Sequence, residues 1–182
     1  MMRKGLLFFV LAFALLGLAA CASPVTENVA KSTVAPTQQI KTIEIGQVLN
    51  TSKCDIVVKK IEFSYDVLPD NTSGFYTHYE ADSGKVYMHI DTDVKNTQKQ
   101  NLPCDEILTA TADYNNVYSY AGFSVVEEAN LGFTYASISK IHPLETKGIR
   151  FLIECPDEVA TSSNVLEVKL VIDGEAYYYR MR

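Results

Sequence analysis

The sequence predicts an all-β fold, an antiparallel β-sandwich of seven to eight strands formed by residues 42–182. Short apolar segments recur, bounded by turn residues about every 8–15 positions, and none has a sustained helical period. Eleven tyrosines, eight phenylalanines and many Val and Ile residues favour strands over helices. The third observation is a hairpin signal near the end of the chain, described below.

The first two expected strands are residues 42–49 and 54–65. Gly46 interrupts the first of them. The alternation of the second fails near Lys59 and Lys60, which predicts a β-bulge there.

Residues 85–96 alternate more cleanly than any other segment. One face of this expected strand is apolar and carries Val86, Met88, Ile90 and Val94. The other face carries Tyr87, His89, Asp91, Asp93 and Lys95. The pattern predicts one buried face and one solvated face. A divalent cation shared by His89, Asp91 and Asp93 is the alternative to a solvated face.

Further strands are expected at residues 106–114, 117–125 and 147–156. In the last of these, Phe151, Ile153 and Cys155 share one face. Residues 125–132 are expected to contain one helical turn.

The last residues predict a β-hairpin. Asp173-Gly174 lies between two apolar segments, which is the signature of a type I′ turn. A two-residue turn fixes the register, so the apolar face holds three cross-strand pairs, Leu170–Tyr177, Val168–Tyr179 and Leu166–Met181. The polar face holds Lys169–Tyr178 and Glu167–Arg180. The three consecutive tyrosines are therefore interpreted as hairpin packing and not as an aromatic binding stripe.

Residues 1–20 have the layout of a secretory signal. Arg3 and Lys4 precede an uncharged apolar run from Gly5 to Ala20. That run is shorter than the roughly 20 residues that a membrane-spanning helix needs. A cleaved signal is therefore expected rather than a permanent transmembrane anchor.

The four residues Leu18-Ala19-Ala20-Cys21 resemble the lipobox of bacterial lipoproteins. The resemblance implies that the Cys21 thiol carries a diacylglyceryl group and that a signal peptidase cleaves just before it. Two acyl chains give a stable membrane anchor. An ordinary signal peptide cleaved near Ala22 is the alternative.

Residues 21–41 lack aromatic residues and contain two prolines, which predicts a flexible, lipid-anchored linker.

Charge and cysteine content narrow the functional class. The formal net charge is −6, so phosphate backbones and anionic headgroups repel the chain, and nucleic-acid binding is not expected. Three cysteines remain besides Cys21, namely Cys54, Cys104 and Cys155. One disulfide that includes Cys155 and three buried thiols are the competing expectations. No Cys or His spacing indicates a zinc site.

The middle and end of the chain resemble an immunoglobulin-like domain of unknown function that is common in bacterial lipoproteins. That family is related in fold to a secreted mycobacterial immunoprotective antigen. The resemblance spans roughly residues 43–182 and rests on Val94-Lys95-Asn96-Thr97, on Pro143 with Gly148, and on the opening IGQVL. It implies a strand-closing turn at Asn96-Thr97 and a strand-opening turn at Pro143. Leu144 stands where members commonly have glycine. The family's pattern supplies no catalytic residues.

Catalytic signatures are absent from the sequence. No G-x-S-x-G, phosphate loop or H-E-x-x-H occurs, and no histidine has a nucleophile in a suggestive context. We therefore expect no enzyme activity, no cofactor and no metal site.

The candidate binding element is the segment 66–84, which we call the aromatic loop. Its nineteen residues exceed the length of most hairpin connections, and loops this long are usually functional or disordered. It carries Phe75, Tyr76, His78 and Tyr79 in an otherwise polar stretch. These side chains are expected either to contact a partner or to fold back over the sandwich.

These features predict a membrane-anchored extracytoplasmic lipoprotein that acts as a non-enzymatic binding module. Its expected partner is a protein or an envelope polymer. One alternative is an accessory protein that binds a small ligand or divalent cation for a transporter. A second is an inhibitor of extracytoplasmic proteases that presents the aromatic loop.

Overall fold

Two β-sheets pack face to face in residues 40–182, which are the residues that the computed structural model describes. The all-β sandwich prediction is confirmed. The signal peptide, Cys21 and the linker up to residue 39 lie outside the described residues. The strands are β1 (Lys41–Thr42), β2 (Val48–Asn50), β3 (Cys54–Ser64), β4 (Asp66–Val67), β5 (Tyr79–Glu80), β6 (Lys85–Asn96), β7 (Leu102–Pro103), β8 (Leu108–Tyr114), β9 (Tyr118–Ala121), β10 (Phe123–Glu128), β11 (Gly132–Tyr135), β12 (Lys140–Ile141), β13 (Thr146–Pro156), β14 (Leu166–Ile172) and β15 (Glu175–Arg180).

One sheet has five strands in the order β1-β15-β14-β8-β9, and the other has six in the order β11-β10-β13-β6-β3-β2. Two short pairs, β12 with β7 and β4 with β5, complete the strand structure of the described chain. The two sheets thus hold more strands than the seven or eight expected. The helical elements are two 3₁₀ turns, Cys104–Glu106 and Ala136–Ile138, and the helix α1 (Asp157–Thr161). No helix in residues 40–182 has the length and apolarity required to cross a bilayer.

Two expected strands are each divided between the sheets. Residues 42–49 form β1 in one sheet and β2 in the other, with Gly46 at a φ of 84° between them. Residues 117–125 form β9 and β10, and the chain crosses from one sheet to the other at Gly122. A Cβ on Gly122 would lie 2.9 Å from the carbonyl oxygen of Leu152, so only glycine fits this crossing. Apolar patterning does not reveal such a crossing, because residues 117–125 form one uncharged run in which Gly122 is the only glycine or proline.

The expected helical turn within residues 125–132 is wrong. The segment continues as β10 to Glu128, turns through Asn130 at a φ of 64° and enters β11 at Gly132. The β-branched pair Val125 and Val126 is buried in β10, which extended backbone accommodates better than a helix does.

Local predictions within long strands are confirmed. The register of β3 against β6 shifts between Val58 and Lys60, as the predicted bulge requires. In the final hairpin, Asp173 and Gly174 both have positive φ, as a type I′ turn requires. The β14–β15 register pairs Leu170 with Tyr177 and Glu167 with Arg180, as expected.

The core lies between the inner faces of the two sheets. Alternate residues of β8 and β14 are buried there, and so are Phe151, Ile153 and Cys155 on the shared face of β13. The predicted inner face of β6 is also fully buried. The sequence period of two therefore identifies the main core correctly.

The first strand lies beside the last one. β1 runs parallel to β15, with Lys41 opposite Tyr177 and Thr42 opposite Tyr178. The amide of Ile43 donates to the Tyr178 carbonyl at 3.0 Å, and Lys41 forms an ion pair with Glu175. These contacts join the beginning of the described chain to its end.

Candidate functional site

The outer face of β6 is buried at one end, so the predicted solvated face is wrong for Tyr87, His89 and Asp91. A second hydrophobic cluster covers it, built from Val67, Tyr87, Val125, Phe133 and Leu152. The covering residues come from the aromatic loop and from β11, which are distant in sequence from β6. Asp93 and Lys95, beyond the covered end, remain partly or fully accessible.

Tyr79 is the member of the aromatic loop that folds back onto the sandwich. Its ring is half-buried and packs edge-on against Phe123, with ring centroids 5.4 Å apart, and lies 6.0 Å from Phe133 and 6.4 Å from Tyr87. Edge-to-face packing of this kind stabilises aromatic clusters. Tyr79 is thus a structural residue of the second cluster.

Phe75, Tyr76 and His78 face outward instead. The Phe75 side chain is 89% exposed, and Tyr76 is half-buried. The His78 Nδ1 lies 2.6 Å from Asp66 Oδ1, and its ring lies 5.8 Å from that of Tyr76. These contacts fix His78 and Tyr76 beside each other and leave Phe75 without a packing partner in the described chain.

The backbone of the loop is bonded to β11 next to Phe75. Thr77 forms a parallel bridge with Gly132, its amide donates to the Leu131 carbonyl at 3.0 Å, and its carbonyl accepts from the Phe133 amide at 3.3 Å. The Thr77 hydroxyl also donates to the Phe133 carbonyl. Gly132 has a φ of 78°, and any Cβ there would overlap the backbone of Thr77. The glycine therefore permits the loop to dock.

Arg150 holds the start of the loop. This side chain is buried and donates to the Leu68 carbonyl at 2.7 Å, to Asp70 Oδ1 at 2.7 Å and to Glu127 Oε2 at 3.1 Å. Its guanidinium also lies 5.1 Å from the centroid of the Phe133 ring, a cation–π contact. One side chain of β13 thus ties the loop to β10 and β11.

His89 and Asp91 continue this charged network beneath the loop. The His89 Nδ1 lies 2.7 Å from Asp91 Oδ1, and its Nε2 lies 3.3 Å from Glu62. Asp91 Oδ2 lies 3.7 Å from Arg150 and 3.5 Å from Lys60. Burial opposes the charged form of Asp91, but the hydrogen bond from His89 and the nearby cations outweigh it and lower its pKa below 3.8.

The shared cation site considered for this strand is not formed. His89 and Asp91 bond to each other, and Asp93 pairs with Lys59 at 2.9 Å. Within residues 40–182, no group of three His, Cys, Asp or Glu side chains lies close enough to hold a metal ion. The other histidines of this region bond to Asp66 and to Asn101 rather than to a hydroxyl or thiol.

Cys54, Cys104 and Cys155 are buried free thiols, so the disulfide alternative is wrong for these three residues. Burial raises the pKa of Cys54 and raises the pKa of both Cys104 and Cys155 to about 11. Such thiols stay protonated near neutral pH and are poor nucleophiles. They act as small core residues.

The two turns implied by the family resemblance are formed. Asn96 is buried, its Oδ1 accepts from the Gln98 amide at 2.8 Å, and its Nδ2 donates to the carbonyls of Gln100 and Ile141. Leu144 has a φ of 65°, a left-handed conformation that favours glycine, the residue that the resemblance leads us to expect there.

Sequence analysis missed Arg150 and Gly132. A sequence signal existed for Arg150, because Arg150, Leu152 and Glu154 occupy one face of a strand whose opposite face is apolar from Ile149 to Cys155. A long apolar Leu152 beside a charge on that face indicates a covered surface. No local signal indicated that Gly132 faces the loop.

Comparison with solved structures gives one strong match. The chain is 49% identical to an uncharacterized β-sandwich protein from Clostridium difficile 630, with a TM-score of 0.77, covering 79% of this chain and 95% of that one. The chain belongs to the family of that β-sandwich protein. That relative shares the β-sandwich architecture described above.

Two further solved proteins align more weakly. A conserved hypothetical protein from Bacillus anthracis is 14% identical over 78% of this chain and 95% of its own, with a TM-score of 0.49. The archaellum periplasmic stator protein FlaG from Sulfolobus acidocaldarius is 10% identical over 67% of this chain and 100% of its own, with a TM-score of 0.28. No family model and no curated protein matches the chain.

Proposed function

We propose that the chain is a lipid-anchored extracytoplasmic lipoprotein whose sandwich is a non-enzymatic binding module for a protein or an envelope polymer. The anchor is supported by the sequence alone, through Cys21 directly after the apolar run of the leader. A diacylated cysteine followed by the linker 21–41 holds the sandwich near the outer face of the membrane.

The immunoglobulin-like assignment of the sandwich is part of the same proposal. Strands β8, β14 and β15 are consecutive in one sheet, as strands C, F and G are in immunoglobulin domains. In the second sheet β6, which precedes β8, pairs directly with β13, which precedes β14, as strand B pairs with strand E in immunoglobulin domains. The C-terminal hairpin and the turns at Asn96 and Leu144 also support the assignment.

The aromatic loop carries the binding proposal. Its single most informative property is the exposure of Phe75, which is 89% exposed. The backbone two residues further along is fixed by the Thr77–Gly132 bridge. A side chain on a pre-organised loop loses little conformational entropy when it binds. Exposed aromatic side chains on rigid loops are also typical anchors of interfaces. We therefore place the contact surface at Phe75, Tyr76 and His78.

Site-specific photocrosslinking tests the contact surface. In the full chain produced in cells, Phe75 is replaced by a photo-reactive phenylalanine derivative, and in the control chain Leu144 is replaced by the same residue. Leu144 is 75% exposed on a different turn, so it reports random encounters. We expect a discrete crosslinked product from position 75 and none from position 144. Equal yields, or no product from either position, would overturn the loop assignment.

Cys21→Ser tests the anchor separately. We expect this variant to leave the detergent phase of a detergent–water partition, because it has no thiol to acylate. Unchanged partitioning would contradict the lipoprotein proposal and would leave the crosslinking result to be interpreted on its own.

A further inference from the structure

Strand β9 is an open edge of the five-stranded sheet. It pairs only with β8 among residues 40–182. The Gly122 amide donates to the Ala110 carbonyl, so in an antiparallel ladder Tyr118 and Tyr120 are the residues that bond to β8. The amide and carbonyl groups of Ser119 and Ala121 therefore point away from the sheet. Both of these residues are exposed.

This edge is short, which limits pairing, but it lacks the other usual protections. Natural edges carry lysine, proline or a bulge, or are covered by another segment. One edge of the six-stranded sheet, β11, is covered in this way by Thr77 of the aromatic loop. By contrast, residues 115–126 contain no charged residue and no proline. Two acidic molecules can approach each other here without bringing like charges together.

The edge is also self-complementary. In an antiparallel pairing centred on Tyr120, Ser119 of each copy lies opposite Ala121 of the other, so the outward backbone groups of both residues meet. Val117 and Tyr118, at the start of this edge, are 72% and 56% exposed. The same pairing brings Tyr118 of one copy opposite Gly122 of the other.

We propose that β9 is a homodimer interface, in which two copies of this chain pair antiparallel about Tyr120 and form one continuous ten-stranded sheet. The symmetry is two-fold, so each contact occurs twice. An edge of four residues makes a small interface, and the dimer is accordingly expected to be weak and reversible.

Disulfide trapping in the full chain tests the pairing. Ser119→Cys with Ala121→Cys places cysteines opposite each other, at a Cα separation of about 5.5 Å in the proposed dimer. That separation lies within the range of disulfides. The control is Val48→Cys with Asn50→Cys, which has the same spacing on the exposed edge strand β2. The unsubstituted chain controls for Cys21, and the other three native cysteines are buried.

We expect the β9 pair to form covalent dimers about tenfold faster than the β2 pair, because pre-association raises the effective thiol concentration. Val117→Glu in the β9 cysteine background should remove this advantage by placing charge at the interface. Leu144→Glu, at an equally exposed position, should not change it. Equal trapping at β9 and β2, or trapping at β9 that Val117→Glu leaves unchanged, would overturn the proposal.

Discussion

Gly132 lies directly against the backbone of Thr77, so closely that a Cβ on Gly132 would overlap both the amide nitrogen and the carbonyl oxygen of Thr77. The contact joins β11 to the aromatic loop across more than fifty residues of sequence. It explains how a long polar loop acquires a fixed position on the sandwich.

Replacing this glycine should detach the loop. Gly132→Ala is expected to destabilise the protein by roughly 2–4 kcal/mol, through backbone overlap and a strained positive φ. Gly74→Ala is the control, because Gly74 also has a positive φ but its Cβ would meet nothing within 4 Å. It should cost about 1 kcal/mol. Thermal unfolding measures both changes, and limited proteolysis should cleave only Gly132→Ala rapidly within residues 66–84. Equal behaviour of the two variants would contradict the docking role.

Arg150 should be the most sensitive charged residue of the fold. Arg150→Met removes the cation that faces the buried Asp91 and the half-buried Glu127 and weakens the compensation of both carboxylates, a loss expected to be about 3–5 kcal/mol. Arg180→Met removes a similar charge from an exposed position and should change stability by less than about 0.5 kcal/mol. Denaturant unfolding measures both. Similar midpoints for the two variants would show that the network does not support the fold.

Asp91 should contribute to acid sensitivity. Its folded pKa is lowered, so its stabilising contribution is complete above the unfolded pKa of about 4 and is lost as the pH falls through the lower folded pKa. Asp91→Asn lacks this titration. The stability difference between the parent and Asp91→Asn should therefore be constant from pH 7 to about pH 5 and shrink below about pH 4. A difference that stays constant down to pH 2, measured by thermal unfolding, would exclude the carboxylate as the titrating group.

The Asp173-Gly174 turn should tolerate asparagine but not a β-branched residue. Gly174 has a φ of 82° and open space around it, so only backbone conformation distinguishes the substitutions. Gly174→Val should lower stability by about 1 kcal/mol or more, and Gly174→Asn by less, because asparagine adopts left-handed conformations more readily. The melting temperatures of the two variants test this order. If valine were tolerated as well as asparagine, the turn assignment would be wrong.

Leu144 allows the reverse substitution, in which glycine replaces a residue that has a positive φ. It is exposed and has a φ of 65°, so Leu144→Gly relieves a left-handed leucine without removing core packing. We expect a gain of about 0.5–1 kcal/mol, the difference between the relieved strain and the greater flexibility of glycine in the unfolded chain. Chemical denaturation measures it. A loss of stability would mean that the Leu144 side chain makes a contact worth more than its strain.

Sequence patterning succeeded where a feature depends on neighbouring residues. The β14–β15 register follows from a two-residue turn, and the bulge between Val58 and Lys60 follows from one interruption of alternation. The inner face of β6 follows from its period of two. These features are local, so the sequence contains the information that specifies them.

The outer face of β6 shows why the other features of the fold could not be predicted from sequence patterning. His89 and Asp91 are polar, and a polar face next to an apolar one normally indicates solvent. Here Val67 and Phe133 cover that face from segments far away in sequence. The Gly122 crossing is similar, since it depends on the distant Leu152 backbone. For the candidate site, sequence analysis identified the aromatic loop, but the division between half-buried Tyr79 and exposed Phe75 required the fold.

The parallel pairing of β1 with β15 has a mechanical consequence. A pull along the strand axis on the chain preceding residue 40 loads the bonds around Lys41, Thr42 and Ile43 together, in shear, and not one after another as in unzipping. Bonds that share a load rupture at higher force. If the chain is tethered through its N-terminal segment, the first strand of the sandwich resists tension on the tether through the bonds that it shares with β15.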